Sequence, residues 1–286
     1  AGVSNEFPIW GTGEWDWVDF NPDTSRFRAY PPGSHPRVIN PESGFIAAWN
    51  APSSMNWPST PFSWGYGPAH RVRLLKDPTE KLLSERVLTF EDVLEIHGRA
   101  TVTDVPSVLV YPLIRRVVPQ AQNPEVETLL QAVDELVDTG ALRVDEVRDG
   151  YLEHGMAIAC MDNAWRHLYV DVFEPVLGKE IIAEAKAFAS VLDDLGREGD
   201  GFWLSREWMN YLYKDLSGLL GDEMKKPFSR AYCNPEPGQC ALILEHAFQK
   251  ALDDTKLILG TTPTEWVYPI VGDAARVQIS FPSAGA

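Results

Sequence analysis

The segment from Asn123 to Gly140 constrains the fold of this chain more than any other. Asn123 and Pro124 are typical of a helix N-cap and a first-turn proline, and Gly140 is typical of the residue after a helix end. The apolar residues between them share one helical face; they are Val126, Leu129, Leu130, Val133, Leu136 and Val137. An amphipathic helix has to pack against another element. The sequence therefore predicts a helical core around this segment.

Helical patterns extend on both sides, over residues 76–260. Thr89 and Asp92 resemble a capping box that opens the stretch TFEDVLEIHGRAT. Further amphipathic patterns occur near residues 155–177, 180–195, 206–220 and 241–258. We expect a region of several packed helices.

The two ends of the chain differ from this helical region. Residues 1–75 are rich in proline, glycine and aromatic residues, and predict loops and short strands such as PIWGTGEWDW, YPPGSHPRVINP and GFIAAWN. Residues 261–286 return to strand character in the alternating stretch ARVQISF. The sequence predicts an α+β fold, a mostly helical segment flanked by short β elements that belong to one sheet system.

The charge balance excludes some partners. The 286 residues include 25 Lys and Arg against 41 Asp and Glu, a formal net charge of −16. This balance argues against nucleic-acid binding. No run of about 18 apolar residues and no charged-then-apolar leader occurs, which predicts a soluble chain without a membrane span, from which any export signal has already been removed.

Two of the three cysteines predict a disulfide. Cys233 and Cys240 bracket the short loop YCNPEPGQC, which brings two Cβ atoms within bonding reach and favours an oxidising compartment, the periplasm or the extracellular space. The alternative, a two-cysteine metal clip, lacks a second Cys or His pair nearby. Cys160 lies among apolar and small residues and is expected to be a buried, inert thiol.

Common catalytic and metal-binding motifs are absent from the sequence. It contains no phosphate-binding loop, no dinucleotide glycine pattern, no HExxH and no GxSxG. The six histidines lie far apart without ligand spacing, and DDLGREGDG does not follow the calcium-loop pattern. We expect no cofactor for the chemistry and assign no metal ligands.

Three segments near the start carry a more specific signal, because FPIWGTGEWDW, VINPESGFIAAWN and WGYGPAHRV follow one another in a fixed order. In this order and spacing they resemble the penicillin acylase family of N-terminal nucleophile hydrolases. The matching positions are Gly11, Thr12, Gly13, Trp15, Asp16, Trp17, Asn40, Pro41, Ser43, Gly44, Trp49, Asn50, Gly67, Arg71 and Val72. The resemblance implies an internal segment of the large chain, part of a larger αββα fold. It also implies a hydrolase of linear amides that releases an acyl side chain from an amine such as a β-lactam nucleus.

The resemblance also implies roles for individual residues. Asn50 would donate its side-chain N–H to the oxyanion of the tetrahedral intermediate, and Arg71 would hold that site. Trp49 and Trp57 are expected to shape the acyl or amine pocket. The alternatives are a turn-forming role for Asn50 and a surface ion pair for Arg71.

The departures from the family are informative as well. The nucleophile of the family is an N-terminal serine whose own α-amine is the base, whereas this chain begins with Ala1 and Gly2, and Ser4 has no free amine. We therefore expect the nucleophile from a companion chain of the same processed precursor that begins with Ser, and an inactive chain without it. Many members bind structural calcium between their chains, but SSMNWPSTPFSWGYG has no acidic residue where one ligand would lie.

Other functions remain open at this point. Within the family, the substrate is alternatively an N-acyl-homoserine lactone or a lipopeptide, because the acyl-pocket residues lie largely outside this chain. A second class is a non-catalytic binding or scaffold module built on the helical region, which predicts no companion chain. The β-like residues 1–75 argue against an all-helical regulatory protein.

Overall fold

The computed structural model describes residues 37–49, 69–183, 211–224 and 227–269. The predicted strands PIWGTGEWDW and ARVQISF, and the predicted helix beyond residue 183, lie outside these ranges. The chain divides into two compact units, Ala1–Thr101 and Val102–Ala286.

The first unit contains α1, Ala69–Glu85, and most of α2, Phe90–Val102. Helix α1 begins seven residues before residue 76, where the helical pattern starts in the sequence. The buried side chains Leu75, Ile96 and Ala100 join the two helices in a small apolar cluster. Ala47 and Trp49, from the segment 37–49, pack against this cluster.

A full capping box starts α2, as Thr89 and Asp92 predict. The backbone N–H of Thr89 donates to the Asp92 carboxylate over 2.7 Å, and the backbone N–H of Asp92 donates to Thr89 Oγ1 over 3.2 Å. Arg86 adds two hydrogen bonds to the same carboxylate, each 2.5 Å long. These hydrogen bonds hold the pKa of Asp92 well below its usual range. The largest contribution comes from the Arg86 guanidinium. The start of α2 is thereby fixed to the end of α1.

The second unit is built from helices. They are α3, Val105–Leu109; α4, Tyr111–Val117; α5, Pro124–Asp138; α6, Gly155–Leu177; and α7, Pro237–Leu259. Residues 179–183 and 211–219 are helical as well. Helices α6 and α7 pack along each other, and α5 packs against both.

Helix α5 forms as its sequence predicts. The Asn123 side chain accepts a hydrogen bond from the Glu125 N–H over 2.8 Å, Pro124 is the first helical residue, and Gly140 has φ +93°. The predicted apolar face is buried at Val126, Leu129, Leu130, Val133 and Leu136. The core of the second unit therefore includes this face.

Polar contacts fix the pairing of α6 and α7. Lys250 donates to both carboxylate oxygens of Asp171 over 2.7 and 3.0 Å. Asn163 donates to Thr255 Oγ1 over 3.0 Å. Because hydrogen bonds are directional, such contacts select one alignment of two helices that apolar packing alone would leave free to slide.

A two-stranded antiparallel sheet accompanies the helices. Strand β1, Tyr151–Leu152, pairs with β2, Tyr268–Pro269, in the register Tyr151 to Pro269 and Leu152 to Tyr268. The predicted fold class, mostly helical with short β elements, is confirmed. The position of β1 between α5 and α6 was not expected from the sequence.

Candidate functional site

The motif NPESG forms a tight turn. Gly44 N–H donates to the Pro41 carbonyl over 2.9 Å, and Ser43 Oγ donates to the Phe45 carbonyl over 2.9 Å. Asn40 and Gly44 have φ values of +48° and +74°. A Cβ at Gly44 would meet no atom within 4 Å, so the glycine is required by its left-handed backbone and not by space. The turn sets the direction in which the next segment leaves.

Residues 45–49 then follow an alternating pattern. Phe45, Ala47 and Trp49 are half-buried, whereas Ile46 and Ala48 are exposed. This is the period of a strand, but the structure assigns no strand to residues 37–49, so the predicted strand GFIAAWN is not formed over its described part, Gly44–Trp49. The physical reason is that a strand requires a hydrogen-bonded neighbour, and the segment has none among the described residues. Ala47 and Trp49 instead pack against the apolar cluster of α1 and α2.

Trp49 and Arg71, both predicted site residues, lie in direct contact. The guanidinium carbon of Arg71 lies 5.3 Å from the centroid of the Trp49 ring, within the range of a cation–π interaction. Arg71 is only 9% exposed, which is unlike a surface ion pair. The structure therefore brings together the tryptophan of the second motif and the arginine of the third.

The position of Arg71 is unfavourable for helix α1 itself. It lies in the first turn, close to the positive end of the helix dipole, where a cation costs about 0.3–1 kcal/mol. No acidic residue lies in that turn of α1. The contact with Trp49 offsets this cost, since a partly desolvated cation–π pair contributes about 1–2 kcal/mol. The contact with Trp49 is thus one of the interactions that stabilise the arginine at this position.

The other two predicted site residues, Asn50 and Trp57, lie outside the described residues. Asn50 is the residue after Trp49 in the chain. Its role as oxyanion donor, and the roles of Trp49 and Trp57 in a pocket, stay predictions. The sequence analysis missed the packing of Trp49 on α1 and α2. The sequence signal for this packing was the four-residue spacing of Arg71 and Leu75 in α1 and of Ile96 and Ala100 in α2. Residues at this spacing lie on one face of a helix.

The predicted disulfide is present. Cys233 and Cys240 are bonded, with Cα atoms 5.2 Å apart, and Cys240 lies in the first turn of α7. The buried carboxylate of Asp215 accepts hydrogen bonds from the N–H groups of Tyr232 and Cys233 over 2.7 and 2.8 Å. Burial raises the pKa of Asp215, and the two hydrogen bonds oppose that rise.

Cys160 is the free cysteine that the sequence predicts to be inert. It is fully buried in α6, and burial raises the pKa of its thiol to about 12. A thiol with this pKa is almost wholly protonated near neutral pH, and the thiolate is the reactive form. Cys160 is therefore a packing residue.

The described residues contain no group of three or more His, Cys, Asp or Glu side chains arranged to hold a metal ion. The segment SSMNWPSTPFSWGYG, in which the family's calcium ligand would lie, is outside them. Across the described ranges, no helix combines the length and the apolarity that a membrane crossing requires.

The fold is that of a penicillin acylase segment. The chain superposes on a thermostable penicillin G acylase from Alcaligenes faecalis with a TM-score of 0.56 and 17% sequence identity, covering 82% of this chain and 40% of that chain. In sequence, 73 residues are 34% identical to penicillin G acylase from Escherichia coli, which is 25% of this chain and 8% of the relative. The family model for penicillin amidase matches residues 2–284. The chain belongs to the penicillin amidase family, as the three motifs predict.

Proposed function

We propose that this chain contributes the oxyanion-binding part of a hydrolase of linear amides, one that releases an acyl side chain from an amine such as a β-lactam nucleus. Family membership over residues 2–284 supports the reaction class. The observation that carries the site is the contact of Arg71 with Trp49, the residue before Asn50. It joins two of the motifs on which the resemblance rests.

In this proposal Asn50 and Arg71 have separate tasks. When the nucleophile attacks the amide carbonyl, negative charge develops on the carbonyl oxygen. The Asn50 side-chain N–H donates to that oxygen, and a donor fixed in advance stabilises the transition state by about 3–4 kcal/mol. The Arg71 guanidinium has five donors in one plane, which suits it to orienting the Asn50 carboxamide.

The proposed nucleophile is a serine supplied by a companion segment of the same processed precursor, with its free α-amine as the base. The coverage supports a larger assembly, since the chain spans 40% of its structural relative. The disulfide between Cys233 and Cys240 supports a periplasmic or extracellular location, where such bonds persist.

Kinetics of the assembled enzyme test the site. Asn50→Ala is expected to lower kcat by about 100- to 1,000-fold with a smaller change in KM, because the hydrogen bond strengthens in the transition state. Asn123→Ala is the matched control: it removes the cap of α5, worth about 1 kcal/mol, together with the hydrogen bond to Gln249, and is expected to lower stability while leaving kcat unchanged. A kcat for Asn50→Ala within a few-fold of wild type would remove Asn50 from the mechanism.

Native mass spectrometry tests the assembly. The proposal expects this 32.0 kDa chain in complex with a companion whose N-terminal residue is serine. An isolated chain without a companion and without amidase activity would instead support a non-catalytic binding module.

A further inference from the structure

We propose that the disulfide between Cys233 and Cys240 and the buried carboxylate of Asp215 form a redox-sensitive latch. In the oxidised chain, the disulfide holds two backbone N–H groups against the carboxylate, and reduction frees the segment that carries them. The latch lies apart from the proposed oxyanion site and does not depend on the proposed function. Its consequence is that this part of the second unit is closed only in a compartment where the disulfide persists.

The carboxylate of Asp215 is the accepting part of the latch. Asp215 is 3% exposed and lies in the helix 211–219, here called the Asp215 helix. One of its oxygens accepts the N–H of Tyr232 over 2.7 Å, and the other accepts the N–H of Cys233 over 2.8 Å. Within the described part of the chain, no Lys, Arg or His side chain forms an ion pair with this carboxylate. A buried carboxylate without a cation depends on its hydrogen-bond donors, so these two N–H groups stabilise it in its buried position.

The disulfide fixes the position of Cys233. Its partner Cys240 is fully buried in the first turn of α7, the helix that packs along α6. Inside the loop, Asn234 accepts a hydrogen bond from the Glu236 N–H over 2.9 Å. This turn shapes the loop itself, whereas the disulfide joins the first residue of the loop to a long packed helix. The residue whose N–H faces Asp215 is therefore anchored to α7.

The segment 228–233 is the part of the chain that the latch holds. The Tyr232 ring lies 5.3 Å, centroid to centroid, from Phe173 of α6 and 5.3 Å from Phe228. Phe228 in turn stacks on Tyr211 at a centroid distance of 6.3 Å. The segment therefore covers part of α6 and part of the Asp215 helix, and opening of the latch would uncover both.

Reduction opens the latch by thiol–disulfide exchange. Two external thiols supply two electrons and two protons, Cys233 and Cys240 become thiols, and the external thiols are joined in a disulfide. Once Cys233 is no longer tied to α7, its N–H is free to move away from Asp215. Burial raises the pKa of Asp215, so a carboxylate that loses its donors turns toward water or takes up a proton.

The coupling acts in both directions. If the disulfide favours the hydrogen bonds to Asp215, those hydrogen bonds favour the disulfide by the same factor. Weakening the carboxylate must therefore shift the equilibrium between dithiol and disulfide toward the dithiol. A disulfide that stabilises the fold only by restricting the unfolded chain has no such link to Asp215.

Equilibration of the full chain, in its native assembly, with glutathione buffers measures this link. Asp215→Asn keeps the size of the side chain but turns one accepting oxygen into an NH₂ donor that faces an N–H. The equilibrium constant for forming the disulfide is expected to fall by about 10-fold in this variant. Asp222→Asn is the matched control, because it breaks the exposed ion pair with Arg116 in the same part of the chain and should leave the constant unchanged. Equal constants in wild type and Asp215→Asn would overturn the latch.

Hydrogen exchange of the wild-type protein, oxidised and reduced, locates the opening. Reduction should speed exchange at the N–H groups of Tyr232 and Cys233 by roughly 10-fold more than at Leu130, which reports the buried core of α5. An increase no larger than that at Leu130 would overturn the latch, because the disulfide would then stabilise the unit only as a whole. Unchanged exchange at Tyr232 and Cys233 would overturn it as well, because the aromatic contacts alone would then hold the segment. If Asp215→Asn does not fold, this comparison still decides, since it uses only the wild-type sequence.

Discussion

Arg115 on α4 and Glu127 on α5 form a two-point ion pair, in which Nη1 and Nη2 of Arg115 donate to the carboxylate over 3.1 and 2.7 Å. The backbone N–H of Ala121, in the connection between the two helices, donates to the same carboxylate over 2.8 Å. The Arg115 hydrogen bonds, ahead of the other interactions, lower the pKa of Glu127 from its ordinary value of 4.5 to about 2. The Glu127 carboxylate thereby links α4, α5 and the connection between them.

This ion pair predicts an acid-dependent loss of stability. Well above pH 4.5 the carboxylate is ionised in both the folded and the unfolded state, and its full contribution to stability is present. As the pH falls toward 2, the unfolded state takes up a proton that the folded state does not, so stability is lost. Glu127→Gln should lower the free energy of unfolding by about 1–2 kcal/mol at neutral pH, the difference between charged and neutral hydrogen bonds.

Urea unfolding at several pH values between about 7 and 3 measures this effect. The difference in the free energy of unfolding between wild type and Glu127→Gln should decrease steadily below pH 4.5. Glu135→Gln, at an exposed position of the same helix, is the matched control and should change stability by less than about 0.5 kcal/mol. A gap that stays constant with pH would contradict the assignment.

The disulfide predicts a second stability effect. Cys233 and Cys240 are seven positions apart, and closing a loop of this size contributes about 2–3 kcal/mol by restricting the unfolded chain. The double variant Cys233→Ser with Cys240→Ser should lose this amount. Thermal melting with and without reductant checks it: reductant should lower the melting temperature of wild type and leave the variant unchanged. Equal melting of oxidised and reduced wild type would show that the bond contributes nothing.

The burial of Cys160 predicts its reactivity. The thiol is fully buried and its pKa is raised to about 12, so iodoacetamide should leave it unmodified in the native protein and modify it fully in denaturant. Mass analysis of the alkylated peptides gives the result directly. Native-state alkylation at the rate of an exposed thiol would mean that α6 opens locally.

The features that the sequence predicted well are those whose causes lie within a few residues. Asn123, Pro124 and Gly140 mark the ends of α5, and Thr89 with Asp92 marks the start of α2, because caps act over one helical turn. The disulfide was predictable for the same reason, since a short loop between two cysteines seven positions apart brings its own ends together.

Features that depend on distant residues were not predictable. Strand β1 is two residues long and pairs with residues more than one hundred positions later, and two residues carry no periodicity. Helix α1 begins at Ala69, earlier than the predicted residue 76, and it contains Pro78 in its interior. At the site, the family motifs predicted Trp49 and Arg71 separately, but their contact depends on how the segment 37–49 packs on α1.

Gly155, the first residue of α6, predicts the last effect. A Cβ at this position would lie 2.9 Å from the backbone nitrogen of Tyr268 and 3.2 Å from the carbonyl oxygen of Trp266. These are backbone atoms in and just before β2, so they move only if the strand moves. Gly155→Ala should therefore weaken the β1–β2 pairing and lower the free energy of unfolding by about 1–3 kcal/mol.

Gly98→Ala is the matched comparison. Gly98 lies on the exposed side of α2, and a Cβ there would meet nothing within 4 Å. Because alanine is more favourable than glycine inside a helix, the free energy of unfolding of this variant should rise by about 0.5–1 kcal/mol. Chemical denaturation of both variants, with hydrogen exchange at Leu152 and Tyr268 as a local probe, gives the comparison. If Gly155→Ala were as stable as wild type and hydrogen exchange at those two residues were unchanged, the close approach of β2 to Gly155 would not contribute to the stability of the β1–β2 pairing.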